Sequence, residues 1–169
     1  RVAAIHPGCR VHAVEDFVQP DNWPALLPAP VDLLIDACDQ VKAKAALAQW
    51  ALTARVPLVC VGAAGGKQHP EQVALEDLAA VTHDPLLASL RLRLRKTGAA
   101  PRQGSIGLRC VFSREAVRRP LQDGCSTGPA GAALACSGYG STVTVTAVFG
   151  MVAAGEAIAQ LAQSHTQSG

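Results

Sequence analysis

Residues 31–66 read VDLLIDACDQVKAKAALAQWALTARVPLVCVGAAGG, and the fold class follows from them. Val31 to Ile35 is an apolar run broken only by Asp32, the pattern of a strand buried on both faces of a parallel sheet. Asp36 and Asp39 stand at its carboxyl end. Gln40 to Arg55 is Ala-rich and free of Gly and Pro, which predicts a helix with Asp39 at its N-cap. Pro57 restarts the chain in extended form, and Leu58 to Val61 is a second apolar run, ended by Gly62, Gly65 and Gly66. A strand–helix–strand unit of this length closes as a right-handed parallel crossover. Open parallel sheets bind ligands beyond the carboxyl ends of their strands. Asp36, Asp39 and the turn at residues 62–66 gather there. The expected fold is therefore α/β, a mainly parallel Rossmann-like sheet flanked by helices.

Working outward, Arg1 to His6 reads as the last turn of a helix stopped by Pro7-Gly8, and Arg10 to Val14 as a strand. A short helical turn is expected at Asn22 to Leu27, inside a Pro-punctuated connection. Downstream, residues 67–70 form a turn and Gln72 to Leu75 a short strand. Asp84-Pro85 is an N-cap followed by Pro at the first helical position, so Pro85 to Lys96 is a helix with Leu86, Leu90 and Leu94 as its apolar stripe. A basic loop at residues 97–107 precedes a strand at Leu108 to Phe112 and a turn at residues 113–117. Gln122 to Gly140 reads as an irregular Gly/Ser/Ala-rich loop. Thr142 to Gln163 reads as a helix, too interrupted by Gly155, Glu156 and Gln160 to declare itself a membrane span. Residues 1–163 then make one domain, with a disordered tail at 164–169.

With 169 residues and 49% apolar composition but only 4% aromatic, Ala, Leu and Val must build the core. The net charge of +2 excludes nothing, but its distribution is uneven. Nine of the 15 Lys and Arg fall between Arg91 and Arg119, against the single acid Glu115, a stretch of formal charge +8. Such a one-signed stretch attracts polyanions. Arg91, Arg93, Arg95, Lys96, Arg102 and Arg109 are its candidate RNA contacts, weighed against an ordinary solvated helix face. None of the six cysteines has C-x-x-C spacing, so neither a zinc site nor a thioredoxin-like motif is indicated, and a reducing cytoplasm is expected. Cys110, on an apolar strand beside Arg109, reads as a buried structural thiol before a reactive one.

Two carboxylates at a strand end suit a magnesium ion or the orientation of a phosphate. On spacing alone, Asp39 reads first as a helix cap. Lys42 and Lys44 lie in the first helical turn, within reach of a phosphate or on a solvated face. The glycines at 62–66 admit a ligand against the backbone or simply turn the chain.

Taken together, DLLIDACDQVKAKAAL and VPLVCVGAAGG resemble the second half of the adenylating domain of ubiquitin-activating-type (ThiF/MoeB-like) enzymes. DLAAVTHDPLLASLRLRLRK, GLRCVFSREAV, CSGYGSTVTVTAVFGMVAAGEAI and, upstream, RVAAIHPGCRVHAVEDFVQPDNW are similar to the tRNA threonylcarbamoyladenosine dehydratase branch. The resemblance spans nearly the whole chain. It implies use of ATP and Mg2+ to activate the carboxylate of N6-threonylcarbamoyladenosine at position 37 of certain tRNAs, with ring closure and net loss of water. It gives Asp39 the ATP/magnesium role, with Asp36, Lys44 and Gly62 beside the nucleotide, and it gives the Arg-rich stretch the anticodon arm. A homodimer is implied, and a cysteine desulfurase or sulfur-acceptor system is an open partner class.

Two departures shape these expectations. The family's G-x-G-G-x-G nucleotide loop, with its arginine and lysine, precedes the part that this sequence matches, so the chain corresponds to a C-terminal portion that alone is not expected to bind ATP well. Gln40 stands where many relatives have Asn. Without paired C-x-x-C motifs, the tRNA branch is favoured over enzymes that activate a ubiquitin-like sulfur carrier. A non-catalytic RNA- or partner-binding module is the alternative of another class.

Overall fold

The computed structural model describes residues 1–117 and 140–166. After a single helical turn, α1 (Val2–Ile5), come β1 (Leu34–Asp36), α2 (Val41–Ala54), β2 (Leu58–Val61), β3 (Val73–Asp77), α3 (Pro85–Thr97), β4 (Arg109–Ser113) and α4 (Val143–Thr166). The sheet order is β1-β2-β4-β3. β1 and β2 are parallel, with Asp36 opposite Cys60, and β2 and β4 are parallel, with Cys60 opposite Cys110. β3 returns antiparallel on the edge, Val73 opposite Ser113 and Asp77 opposite Arg109. The architecture is the expected mainly parallel α/β sheet, and the predicted strand–helix–strand unit is present, but its first strand is Leu34–Asp36 and not Val31–Ile35, and as an edge strand it leaves Ile35 exposed where burial on both faces is expected.

Helices cover both faces, as a parallel sheet requires. On one face, Ala45, Ala48 and Ala51 of α2 meet Leu87, Leu90 and Leu94 of α3 over Leu58, Cys60, Cys110 and Phe112. On the other, Val145, Phe149 and Ala153 of α4 lie against Val59 and Val111. Alanine lets α2 sit close to the sheet, and the wide leucines of α3 fill the remaining depth. α3 has the predicted ends. Asp84 Oδ1 accepts from Leu87 N at 2.9 Å, Pro85 opens the first turn, and Gly98 closes the helix at φ +77°.

Four further expectations are corrected. The N-cap of α2 is Gln40, with no side-chain cap, so Asp39 is not a helix cap. Arg10–Val14 is exposed and forms no strand, since among the described residues no strand lies beside it to complete a ladder. Residues 22–27 form hydrogen-bonded turns around a cis Trp23–Pro24 peptide instead of a helix. Trp23 packs edge-on against Trp50 of α2, with centroids 5.3 Å apart. α4 runs to Thr166, past the predicted end at Gln163, with the Ser164 and Thr166 hydroxyls bonded to the Gln160 and Ala162 carbonyls. Among the described residues, α4 is one helix long and apolar enough to cross a membrane by length and composition, yet one of its faces is buried on the sheet. The predicted loop at 122–140 lies outside the described residues except for Gly140.

Asp77 pins the amino edge of the sheet. Its carboxylate accepts from Ala79 N at 2.8 Å, Ser105 Oγ at 2.7 Å, Ile106 N at 3.0 Å and Gly107 N at 2.7 Å. Burial opposes the charge, but these donors outweigh it and hold the carboxyl below its ordinary 3.8. The stabilisation is therefore full above 3.8 and is lost as pH falls through the lowered folded value. Asp77→Asn lacks it. Its Tm is expected below that of the parent at about pH 6, the two converging towards about pH 2 in thermal scans across that range.

Candidate active edge of the sheet

The carboxyl end of β1 is organised by a buried ion pair. Lys44, in the first turn of α2, turns back beneath the strand end, and its Nζ donates to Asp36 Oδ2 at 2.9 Å and to Asp36 O at 3.3 Å. Both side chains are fully enclosed. Asp36 Oδ1 also accepts from Cys38 N at 3.0 Å and Cys38 Sγ at 2.7 Å, and Oδ2 from Cys60 Sγ at 3.3 Å. Burial favours the neutral amine of Lys44, but the Cys60 sulfur and the Asp36 carboxylate outweigh it and raise the pKa above the ordinary 10.5. The expected ligand contacts Asp36 and Lys44 are thus corrected. Each saturates the other inside the protein, because neither charge is tolerable there alone. Their work is to hold the turn at residues 37–40.

That turn presents Asp39. The residue is half-buried and makes no hydrogen bond or ion pair with the described residues, in contrast to Asp36 three positions earlier. No cluster of three or more metal-ligating side chains occurs among the described residues. A single free carboxylate still fits Mg2+, which commonly takes one or two carboxylates and completes its shell with phosphate and water.

The thiols nearby are quiet. Burial, then the charge and hydrogen bond of Asp36, push Cys38 up to about 12. A hydrogen bond with Cys110, and then burial, raise Cys60 well above the ordinary 9.0. Cys110 is wholly buried in the core, the structural reading of that residue. Protonated thiols are poor nucleophiles.

Beyond β2, Gly62 has a different role from the one expected. A Cβ at this position would lie 2.2 Å from Asp84 Oδ2, 3.1 Å from its Cγ and 3.0 Å from Leu87 Cδ1. The missing side chain admits a carboxylate of the protein itself. Asp84 Oδ2 accepts from Ala63 N at 2.8 Å while Oδ1 caps α3, so one buried residue joins the β2 turn to the helix start. Gly62→Ala is expected to displace this carboxylate and destabilise the protein by about 1–3 kcal/mol. Urea unfolding measures the loss, and an unchanged midpoint would show that Asp84 yields freely.

In the sequence, the next residues read only as a turn and as one acid in a basic stretch. Lys67 is buried, and its Nζ donates to His83 O at 2.9 Å, Ser113 O at 3.3 Å and Glu115 O. Glu115 Oε2 accepts from Gln68 N at 2.7 Å and His69 N at 2.9 Å. A lysine after two glycines carries no local sign of burial, since its partners lie 16 to 48 positions away.

The basic stretch divides. Arg91 donates to the carbonyls of Leu78 at 3.0 Å and Val81 at 2.9 Å, and Arg109 pairs with Glu156 at 2.9 Å. Both are engaged within the fold, Arg91 with backbone carbonyls and Arg109, still partly exposed, with a carboxylate. Arg114 pairs with Glu76 on the surface. Arg93, Lys96 and Arg102 remain exposed, with Arg95 half-buried beside them. α3 starts at the carboxyl edge, where Asp84 meets Ala63, and descends, and the 98–107 loop is fastened to Asp77 opposite the start of β4. The free cations at the end of α3 and in this loop therefore sit at the amino edge, roughly one strand length, about 15 Å, from Asp39.

Comparison with known proteins agrees with this frame. The ThiF family model matches residues 1–168. The chain is 38% identical over its whole length to the tRNA threonylcarbamoyladenosine dehydratase of Escherichia coli (strain K12), covering 66% of that protein. It is 35% identical to the protein of the same name from Haemophilus influenzae, with 95% of the chain and 62% of the relative covered. Among solved structures, E. coli tRNA N6-threonylcarbamoyladenosine dehydratase in complex with ATP matches at a TM-score of 0.84 and 36% identity, over 99% of this chain and 63% of that one. The same enzyme in complex with AMP matches at 0.81 and 37%, over 98% and 63%. The chain thus spans a little under two thirds of the length of these relatives.

Proposed function

The chain belongs to the ThiF family, with an E1-like α/β fold, and from that premise we propose that it is the C-terminal portion of an ATP-dependent tRNA threonylcarbamoyladenosine dehydratase. The supporting observation is the match over 99% of the chain to such an enzyme in complex with ATP, joined to a free carboxylate, Asp39, at the sheet edge where ligands of this fold bind. The carboxylate of the modified nucleoside attacks the α-phosphorus of ATP and releases pyrophosphate; a neighbouring nitrogen then attacks the acyl carbon and displaces AMP, so that the nucleoside loses the elements of one water.

The protein's own part is positioning and charge. Asp39 would hold Mg2+, which would offset negative charge on the nucleotide. The Asp36–Lys44 pair fixes the turn that carries it, and the Asp84–Gly62 contact fixes the neighbouring turn. Cys38 and Cys60, held protonated, take no covalent part. The free cations Arg93, Lys96 and Arg102 hold the tRNA backbone at the far edge, so one RNA arm bridges both ends of the sheet. The exposed Val143, Met151 and Ile158 on α4 make a face for a second copy in a homodimer. The enzyme acts in the cytoplasm, with α4 as a core helix.

The test is ATP–pyrophosphate exchange by the full-length protein, with and without tRNA, alongside mass analysis of the tRNA nucleosides. Exchange that requires substrate tRNA, with loss of one water from the modified nucleoside, supports the proposal. Exchange that instead requires a ubiquitin-like carrier protein, or no exchange at all, overturns it. Joint reversal of Arg93, Lys96 and Arg102 to Glu is expected to weaken tRNA binding at least about tenfold and flatten its salt dependence, while Arg91→Lys leaves it unchanged. Equal affinities in filter binding across salt would return these cations to an ordinary solvated surface.

A further inference from the structure

Lys67 is a buried cation that the proposed chemistry leaves unused. Lys44 answers a carboxylate, but the proton donors of Lys67 go to three backbone carbonyls, of His83, Ser113 and Glu115. They lie where regular structure stops, in the turn before α3, on the last residue of β4 and two residues beyond it. One ammonium with three donors satisfies all three, which no uncharged side chain does. Burial works against its charge and lowers its pKa, although Asp84 and Glu115 favour the ammonium. A buried ammonium in this setting is a costly way merely to fill space.

The surrounding bonds give it a purpose. Ala63 N is bonded to Asp84, Gln68 N and His69 N to Glu115, and Arg114 N to Gln72 O at 3.0 Å. Gly66 N reaches Gly140 O at 3.0 Å, just before α4. The 62–72 turn is thereby stitched to the start of α3, the end of β4 and the approach to α4, and Lys67 is the knot among them. In the sheet order β1-β2-β4, this assembly stands next to the turn bearing Asp39.

We infer that Lys67 is a positioning residue: its ammonium sets the spacing of the three backbone segments that wall the carboxyl edge beside Asp39. The role in turnover rests on the proposed ATP-dependent reaction, whereas the spacing itself does not. The experiment uses the full-length protein with Lys67→Met, which keeps most of the length of the side chain and removes every donor, and Lys67→Arg, which keeps charge and donors. Lys67→Met is expected to lower kcat for tRNA dehydration by about tenfold or more, with KM for ATP within about threefold. Amide exchange at Ala63, Gln68 and His69 is expected to rise about tenfold while Val59 and Val111 keep their protection. Lys67→Arg is expected to recover a substantial part of both.

Unchanged exchange at the three turn amides overturns the inference whatever the activity. Faster exchange with an unaltered kcat overturns the role in turnover and leaves a structural tie. Should the parent protein show no ATP-dependent dehydration, the proposed function fails, and the exchange measurement still decides the spacing. If Lys67→Met does not fold, Lys67→Gln, which retains a short neutral donor, is read by the same exchange criterion.

Discussion

Lys44→Met is expected to destabilise the protein by about 3–5 kcal/mol, the effect of leaving one charge of a buried pair without its partner. Asp36 is the residue left behind. With Lys44 gone, its carboxylate keeps the Cys38 amide and two weak thiol donors, in a place with no solvent to complete its shell. Methionine fills most of the vacated volume, so the loss reports on charge more than on cavity. Urea unfolding at neutral pH, extrapolated linearly, measures it. Because the pKa of Lys44 is raised above 10.5, its contribution is full below that value and is lost only as pH rises through the folded pKa. The deficit of the variant should thus be the same at about pH 7 and about pH 9. Asp36→Leu with Lys44→Met is expected to lose less than the two single variants together, since no charge is stranded. A loss under about 1 kcal/mol in Lys44→Met would mean that water reaches Asp36 and that the pair behaves as a surface bridge.

The same pair shows where sequence stops being informative. β2 was legible because Leu58 to Val61 is an apolar run that can only be buried, and α3 because Asp84, Pro85 and Gly98 mark its ends by local rules. The helix of α2 was legible from its alanines. Its cap was not, because an aspartate beside a helix looks like a cap whether or not its oxygen meets an amide. Gly62 followed the same course. A glycine after a strand announces a close approach but not the visitor, and Asp84, 22 positions later, is named only by the folded chain. The surroundings of a charge are equally hidden from local pattern. Arg91 and Arg93 are alike in sequence, yet two residues apart they stand on different faces of α3, and one reaches the Leu78 and Val81 carbonyls while the other meets water. Local pattern specifies elements and their ends. The partners of buried charges come from far along the chain and carry no local mark, and at this edge those partners distinguish the residues that support the site from the one left free to act.

Asp39→Ala is expected to abolish adenylation, a loss of at least about a hundredfold in tRNA-dependent ATP–pyrophosphate exchange by the full-length protein. Stability is expected to stay within about 0.5 kcal/mol of the parent, because the side chain makes no hydrogen bond or ion pair with the described residues. Asp36→Ala is expected to do the reverse at the level of the fold, stranding the Lys44 ammonium and lowering the unfolding free energy by about 3–5 kcal/mol. Two aspartates three residues apart thus separate by the kind of damage they cause. Asp39→Asn sharpens the comparison, since it keeps size and polarity while removing the negative charge that a magnesium ion requires. If the role is electrostatic, Asn fails as Ala does, and raising Mg2+ recovers little. If Asp39 only shapes the turn, Asn recovers most of the exchange, and near-normal turnover in either variant would remove the metal role altogether. The geometry of the turn favours charge. The turn is already fixed by the Asp36 bonds to the Cys38 amide and thiol, so Asp39 is not needed to shape it.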